Sequence, residues 1–301
     1  MDTLRHSSSE TQIHVPAIET TSPDRTDSAP LEMADLYCIL QIEPNDSLIA
    51  FELARRLESS GNLQDARRVY NGILTIDYRF ETVHALGQVE YKMDDVDSAF
   101  TRLNEALMIA PESSLDLFDL FKTLGNICVR RGDFDLAEDN YHRAFRINAD
   151  SDTLAVNFGA LYVQRSQWDE AATHFGRALA INRSNDKAWI GLAICHRMKS
   201  DHELAWGNLE AALAYNPLNE TALGLAIDWS AQEGREFRAL ELIRSFLVAG
   251  GWNEKMSLAF AWLSWRRGDS GRAKLELERL LAVNPMNVQA LELSAQLRTG
   301  A

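Results

Sequence analysis

Cysteine and proline are both sparse in this chain. Only three cysteines occur in 301 residues. That number is odd and the positions are far apart, so neither a disulfide framework nor a paired-cysteine zinc site is expected. Cys38, Cys128 and Cys195 each sit in an apolar run such as Ile127-Cys128-Val129 and read as small core residues. Of seven prolines, Pro16, Pro23 and Pro30 crowd the first thirty positions, which leaves the rest largely free of helix breakers. No apolar stretch approaches the ~18 residues that a membrane-spanning helix needs, and the N-terminus lacks a signal-peptide core, so the chain is expected to stay in the cytoplasm. Basic residues are outnumbered, 30 Lys and Arg against 44 Asp and Glu, for a net charge of −14. A balance of that sign argues against nucleic acid as a partner, because phosphate binding needs clustered positive charge. Nucleophile elbows, glycine-rich phosphate loops, HExxH and kinase signatures are all missing, so no enzyme activity, metal or cofactor is expected. His196 and His202 flank a turn, but their spacing matches no zinc pattern.

Periodicity fills the space these absences leave. Ala66, Ala99, Ala137, Ala171, Ala205, Ala239 and Ala273 recur at intervals of 33, 38, 34, 34, 34 and 34 residues. From the third to the fifth, Tyr141, Phe175 or Leu209 follows four residues later and Ala144, Ala178 or Ala212 seven later. Each unit reads as two helices joined by a tight turn, at Gly61-Asn62, Asp94-Asp95, Gly132-Asp133, Ser166-Gln167, Ser200-Asp201, Gly234-Arg235 and Gly268-Asp269. Pro111, Pro217 and Pro285 end the second helix at equivalent places. Units of this length cannot bury their apolar faces alone and must stack on their neighbours.

Leu86-Gly87, Leu124-Gly125 and Phe158-Gly159, with Gly-Asp-Phe at 132–134 and then Ala137, Tyr141 and Ala144, make the chain resemble a tetratricopeptide repeat (TPR) protein over roughly four fifths of its length. The resemblance implies an all-α fold, a right-handed α-solenoid of about seven helix pairs, with units at 47–79, 80–113, 118–151, 152–185, 186–219, 220–253 and 254–287. Capping helices are expected at 31–46 and 288–301, and a disordered tail at 1–30, where Ser, Thr and Pro prevail. Gly250-Gly251-Trp252 replaces the usual junction and reads as a flexible joint.

In the TPR fold the first helices line a concave groove. The resemblance therefore places Lys122, Arg130, Lys187 and Arg197 there against a single acid, Asp119, together with Gln164. A locally positive groove on an acidic protein steers toward an acidic or C-terminal segment of a protein or peptide partner. Lys122, Asn126, Asn157 and Lys187 are similar to four of the five positions of the carboxylate clamp of TPR co-chaperones; the fifth, normally Arg, is Gly191. Trp262 and Trp265 fall at groove positions of the seventh unit beside Lys255 and Arg266, in the manner of interface anchors. These residues suggest a non-catalytic scaffold, an adaptor or chaperone in an assembly or secretion system. A second reading is a substrate-recognition subunit for a glycosyltransferase or methyltransferase, and self-association through an open solenoid end is a third.

Overall fold

The computed structural model describes residues 32–111 and 116–299, so the 1–30 tail lies outside the described residues. Among them every regular element is an α-helix, sixteen in all. A single helix, α1 (Met33–Ile42), precedes seven helix pairs: α2 (Ser47–Ser59) with α3 (Leu63–Leu74), α4 (Phe80–Lys92) with α5 (Val96–Ile109), α6 (Asp116–Arg131) with α7 (Phe134–Ile147), and α8 (Asp152–Gln164) with α9 (Trp168–Ile181). They continue as α10 (Asp186–Met198) with α11 (His202–Tyr215), α12 (Glu220–Glu233) with α13 (Glu236–Val248), and α14 (Glu254–Arg266) with α15 (Ser270–Val283); α16 (Val288–Thr299) closes the array. No described helix is long and apolar enough to cross a membrane.

Each pair is closed by one residue in the left-handed region. Gly61, Gly132, Gly234 and Gly268 take φ between 68° and 82°, while Asp94, Ser166 and Ser200 reach 59° to 68° despite carrying a Cβ. The seven recurring alanines are all fully buried. A methyl group there lets the two helices of a unit approach closely, and Tyr141, Phe175 and Leu209 fill the layer beyond, each at most 3% exposed. The core runs on as consecutive clusters along the array, the form expected of a solenoid.

Adjacent units are also tied by a side-chain clasp. The acid that begins α8 or α10 accepts two asparagine amides. Asn182 and Asn185 donate to Asp152 at 2.7 and 2.9 Å, and Asn216 and Asn219 to Asp186 at 2.6 and 2.8 Å. Glutamate takes over further on: Asn253 donates to Glu220 at 2.8 Å, and Asn284 and Asn287 to Glu254 at 2.9 and 2.7 Å. The second asparagine of each set also caps the next helix, Asn185 accepting from Ala188 N at 3.0 Å and Asn219 from Ala222 N at 2.9 Å. Burial works to raise the Asp152 and Asp186 carboxyls, but the asparagine bonds outweigh it and hold both below the usual aspartate range.

One expectation about the core needs correction. Cys38 is exposed on α1 rather than packed in the core, because that helix buries only Leu36. Cys128 and Cys195 are buried, and burial pushes both thiols up to about 11. Gly250-Gly251 forms a hydrogen-bonded turn, with Gly251 N donating to Phe246 O at 3.0 Å.

Candidate partner-binding groove

Groove residues sit on the first helices because positions three and four apart share one face of a helix. Neighbouring first helices pack along the middle of the array, α4 with α6, α6 with α8 and α8 with α10. Polar side chains cross these seams. Gln88 on α4 and Thr123 on α6 exchange bonds of 2.9 and 3.1 Å, and Asn157 on α8 donates to Asn126 on α6 at 2.8 Å. Asn126 Oδ1 also accepts the Tyr141 hydroxyl at 2.7 Å. Both asparagines of the clamp-like set are thus already bonded within the protein.

The four groove cations divide unequally. Lys122 is paired with Asp119 one turn earlier and lies over the Phe118 ring at 5.0 Å. Arg130 reaches back to Asp94, whose carboxylate raises the guanidinium pKa, and lies over Tyr91. Arg197 is drawn toward α12, pairing with Glu233, donating to Gln232 at 2.7 Å and covering Trp229 at 5.1 Å. Of the four, Lys187 stands exposed, with no ion pair among the described residues. The positive excess that the sequence suggests for units three to five is therefore offset there by Asp94, Asp119 and Glu233. Gln164 is exposed at the end of α8.

The fifth clamp position is closed by packing. An ideal Cβ on Gly191 would stand 2.5 Å from Phe175 Cε2 and closer still to its Cζ, so no arginine can grow from this backbone while the ring holds its place. Gly159 on α8 meets the same ring, its Cβ position 2.6 Å from Cε1. Both glycines make room for Phe175, which is 3% exposed.

Toward the C-terminal end the groove opens into a hollow of about 370 Å³ between α14 and α16. Trp262, Leu258 and Leu293 give it an apolar surface; Lys255, Gln289, Glu292 and Gln296 supply polar groups. Trp262 is half-buried, and the Arg266 guanidinium lies 5.0 Å from its ring centroid. Trp265, like Trp262, packs against the last core cluster of Leu277, Leu280 and Leu293, but it does not line the hollow. Lys255, like Lys187, is the second residue of its first helix and exposed, and neither forms an ion pair among the described residues. Sequence reading put Lys255 beside the tryptophans but did not foresee the α16 side of the hollow, which begins beyond the last complete repeat.

Residues 156–214 match the family model described as Tetratricopeptide repeat. No curated protein sequence matches the chain. Among solved structures the fold is similar to YrrB, described as a TPR protein with an unusual peptide-binding site, at 21% identity and a TM-score of 0.50, covering 65% of this chain and 99% of that one. It is similar also to a tetratricopeptide repeat protein from Parabacteroides merdae, at 14% identity and a TM-score of 0.56, covering 84% of this chain and 98% of that one. PilF of Pseudomonas aeruginosa aligns at 18% identity and a TM-score of 0.53, over 72% of this chain and 97% of its own. At these identities the likeness is one of fold. The chain thus carries tetratricopeptide repeat sequence at 156–214, and helix pairs of the same build continue on both sides of it, an architecture that serves as a scaffold for protein–protein interaction.

Proposed function

We propose that this chain is a non-catalytic adaptor or chaperone whose first-helix groove holds a segment of a partner polypeptide, within an assembly or secretion system. The observation that carries the reading is the hollow beside Trp262, where an amphipathic aromatic, an adjacent guanidinium and the Lys255 ammonium occur together. Lys187 and Lys255, unpaired at equivalent positions two units apart, favour a partner segment with acidic residues. Lys122, Arg130 and Arg197 contribute less, since a ligand carboxylate would have to displace the carboxylates already bound to them. A site for peptide is described in YrrB, which shares the fold.

The test begins with a tagged pull-down that names the partner, followed by affinity measurements on the full chain. Trp262→Ala should weaken binding by about 2 kcal/mol or more, the range of an interface hot spot. Lys187→Glu with Lys255→Glu should weaken it further and flatten its dependence on salt near 0.1 M, where the Debye length is about 10 Å. Unchanged affinity in both variants, with parental circular dichroism melts, would remove the groove from consideration.

A further inference from the structure

Away from the groove, successive units repeat a charge contact at one fixed place. In units two to five the second residue of the second helix is an acid, and a basic residue at or just past the end of the next unit's first helix pairs with it. Arg131 meets Asp97 at 3.6 Å, Arg165 meets Asp135 at 2.6 Å, Lys199 meets Asp169, and Arg235 meets Glu203 at 2.7 Å. At the next junction the base is present and the acid is not. Arg267 follows α14 as its C-cap, but the second residue of α13 is Phe237, 60% exposed, with its ring centroid 5.1 Å from the guanidinium carbon. The neighbouring Glu236 is engaged by Arg266 at 3.1 Å, and among the described residues no carboxylate pairs with Arg267. Beside this exception lies a hollow of about 170 Å³ lined by Phe237, Phe260, Ser264, Arg267 and Arg272 among others. Ser264 is 1% exposed and its Oγ has no hydrogen-bond partner among the described residues.

We infer that this edge of units six and seven is a second docking site, for a partner polypeptide that presents an acidic side chain next to an apolar one. The carboxylate takes the place that Asp97, Asp135, Asp169 and Glu203 hold at the four preceding junctions and bonds the Arg267 guanidinium through its paired donors. The apolar neighbour covers the Phe237 ring. Charge selects the class of ligand. Arg244 and Arg272 already pair with Glu241 and Asp269 at 3.2 and 3.3 Å, so one uncompensated cation remains, matched to a singly charged carboxylate rather than to a doubly charged phosphate. The site shares no residue with the groove and does not depend on it.

A random peptide library selected on the immobilised full chain tests the inference, with the same selection run on Phe237→Asp, Arg267→Glu and Lys187→Glu. Phe237→Asp restores the acid of the four preceding junctions at an exposed first-turn position, so it should melt with the parent; Arg267→Glu makes the same test without touching the aromatic. A set of peptides pairing Asp or Glu with an adjacent apolar residue should be enriched on the parent and on Lys187→Glu and lost on the other two, whereas peptides held by the groove would be retained on Phe237→Asp and Arg267→Glu. By fluorescence anisotropy such a peptide should bind Phe237→Asp at least roughly tenfold more weakly, and its Glu→Gln version should be weakened alike on the parent. The inference is overturned if the parent enriches no acidic–apolar pair, if every such peptide survives in Phe237→Asp and Arg267→Glu, or if all of them disappear in Lys187→Glu, which would assign the peptides to the groove. Tighter binding of a phosphoserine version would overturn the carboxylate assignment.

Discussion

The same substitution, glycine to alanine in the middle of a helix, should act with opposite signs at Gly191 and at Gly176 or Gly207. Helix propensity alone favours alanine by about 0.8–1.0 kcal/mol at all three. Gly176 in α9 and Gly207 in α11 have nothing within 4 Å of a Cβ, so that gain should appear nearly whole as a raised melting midpoint. At Gly191 the new methyl would lie 2.5 Å or less from three ring atoms of Phe175, and the ring is confined by Gly159. Overpacking a filled core costs about 1–3 kcal/mol, which exceeds or cancels the propensity gain, so Gly191→Ala should lose up to about 2 kcal/mol. Chemical denaturation followed by circular dichroism separates the variants, and Phe175→Leu combined with Gly191→Ala should recover about 0.5–3 kcal/mol relative to additivity. If Gly191→Ala proved as stabilising as Gly176→Ala, Phe175 would not occupy that space, and the reason given for the closed clamp would fail with it. On this reasoning Gly191→Arg destabilises the protein instead of completing a clamp.

Two further predictions follow from burial and charge. Ala171→Leu and Ala205→Leu, each placed where the methyl group is fully buried between paired helices, should each cost about 1–3 kcal/mol, and thermal melts within a degree of the parent would refute that packing. Because the Asp152 and Asp186 carboxyls are depressed in the folded state, their contribution is complete at neutral pH and is lost as the pH falls below about 4 and through the folded values. Asp152→Asn with Asp186→Asn should therefore be less stable at pH 7 and change less between pH 5 and 2 than the parent, and parallel acid titrations would contradict the clasp.

The repeat frame was legible because small residues at helix contacts and left-handed turn residues leave marks that recur at a constant spacing. Even Ser166 and Ser200, where no glycine announces the turn, stand in phase with Gly132 and Gly234 and adopt the same backbone region. The asparagine clasps carried a signal as regular, Asn185-Asp186, Asn219-Glu220 and Asn253-Glu254, yet an acid beside an asparagine has many local uses and its meaning emerges only when the stacked units bring them together. The groove's charge was harder to read. Counting Arg130 and Arg197 as free cations overlooked Asp94 and Glu233, each about one repeat away and therefore adjacent after stacking. Gly191 looked like a missing arginine, whereas its neighbour across the seam, Phe175, makes glycine a packing requirement.

The clasps also act as a gauge. Each one fixes how far the start of one first helix stands from the start of the next, and solenoid curvature accumulates from such small per-unit steps. The spacer is an aspartate in units four and five and a glutamate, one methylene longer, in units six and seven. The longer spacer at Glu254 spans the helices that frame the Trp262 hollow. The width of the opening offered to a partner is thus written in a side chain that lies outside the lining, and Glu254→Asp would narrow the opening while leaving every lining residue unchanged.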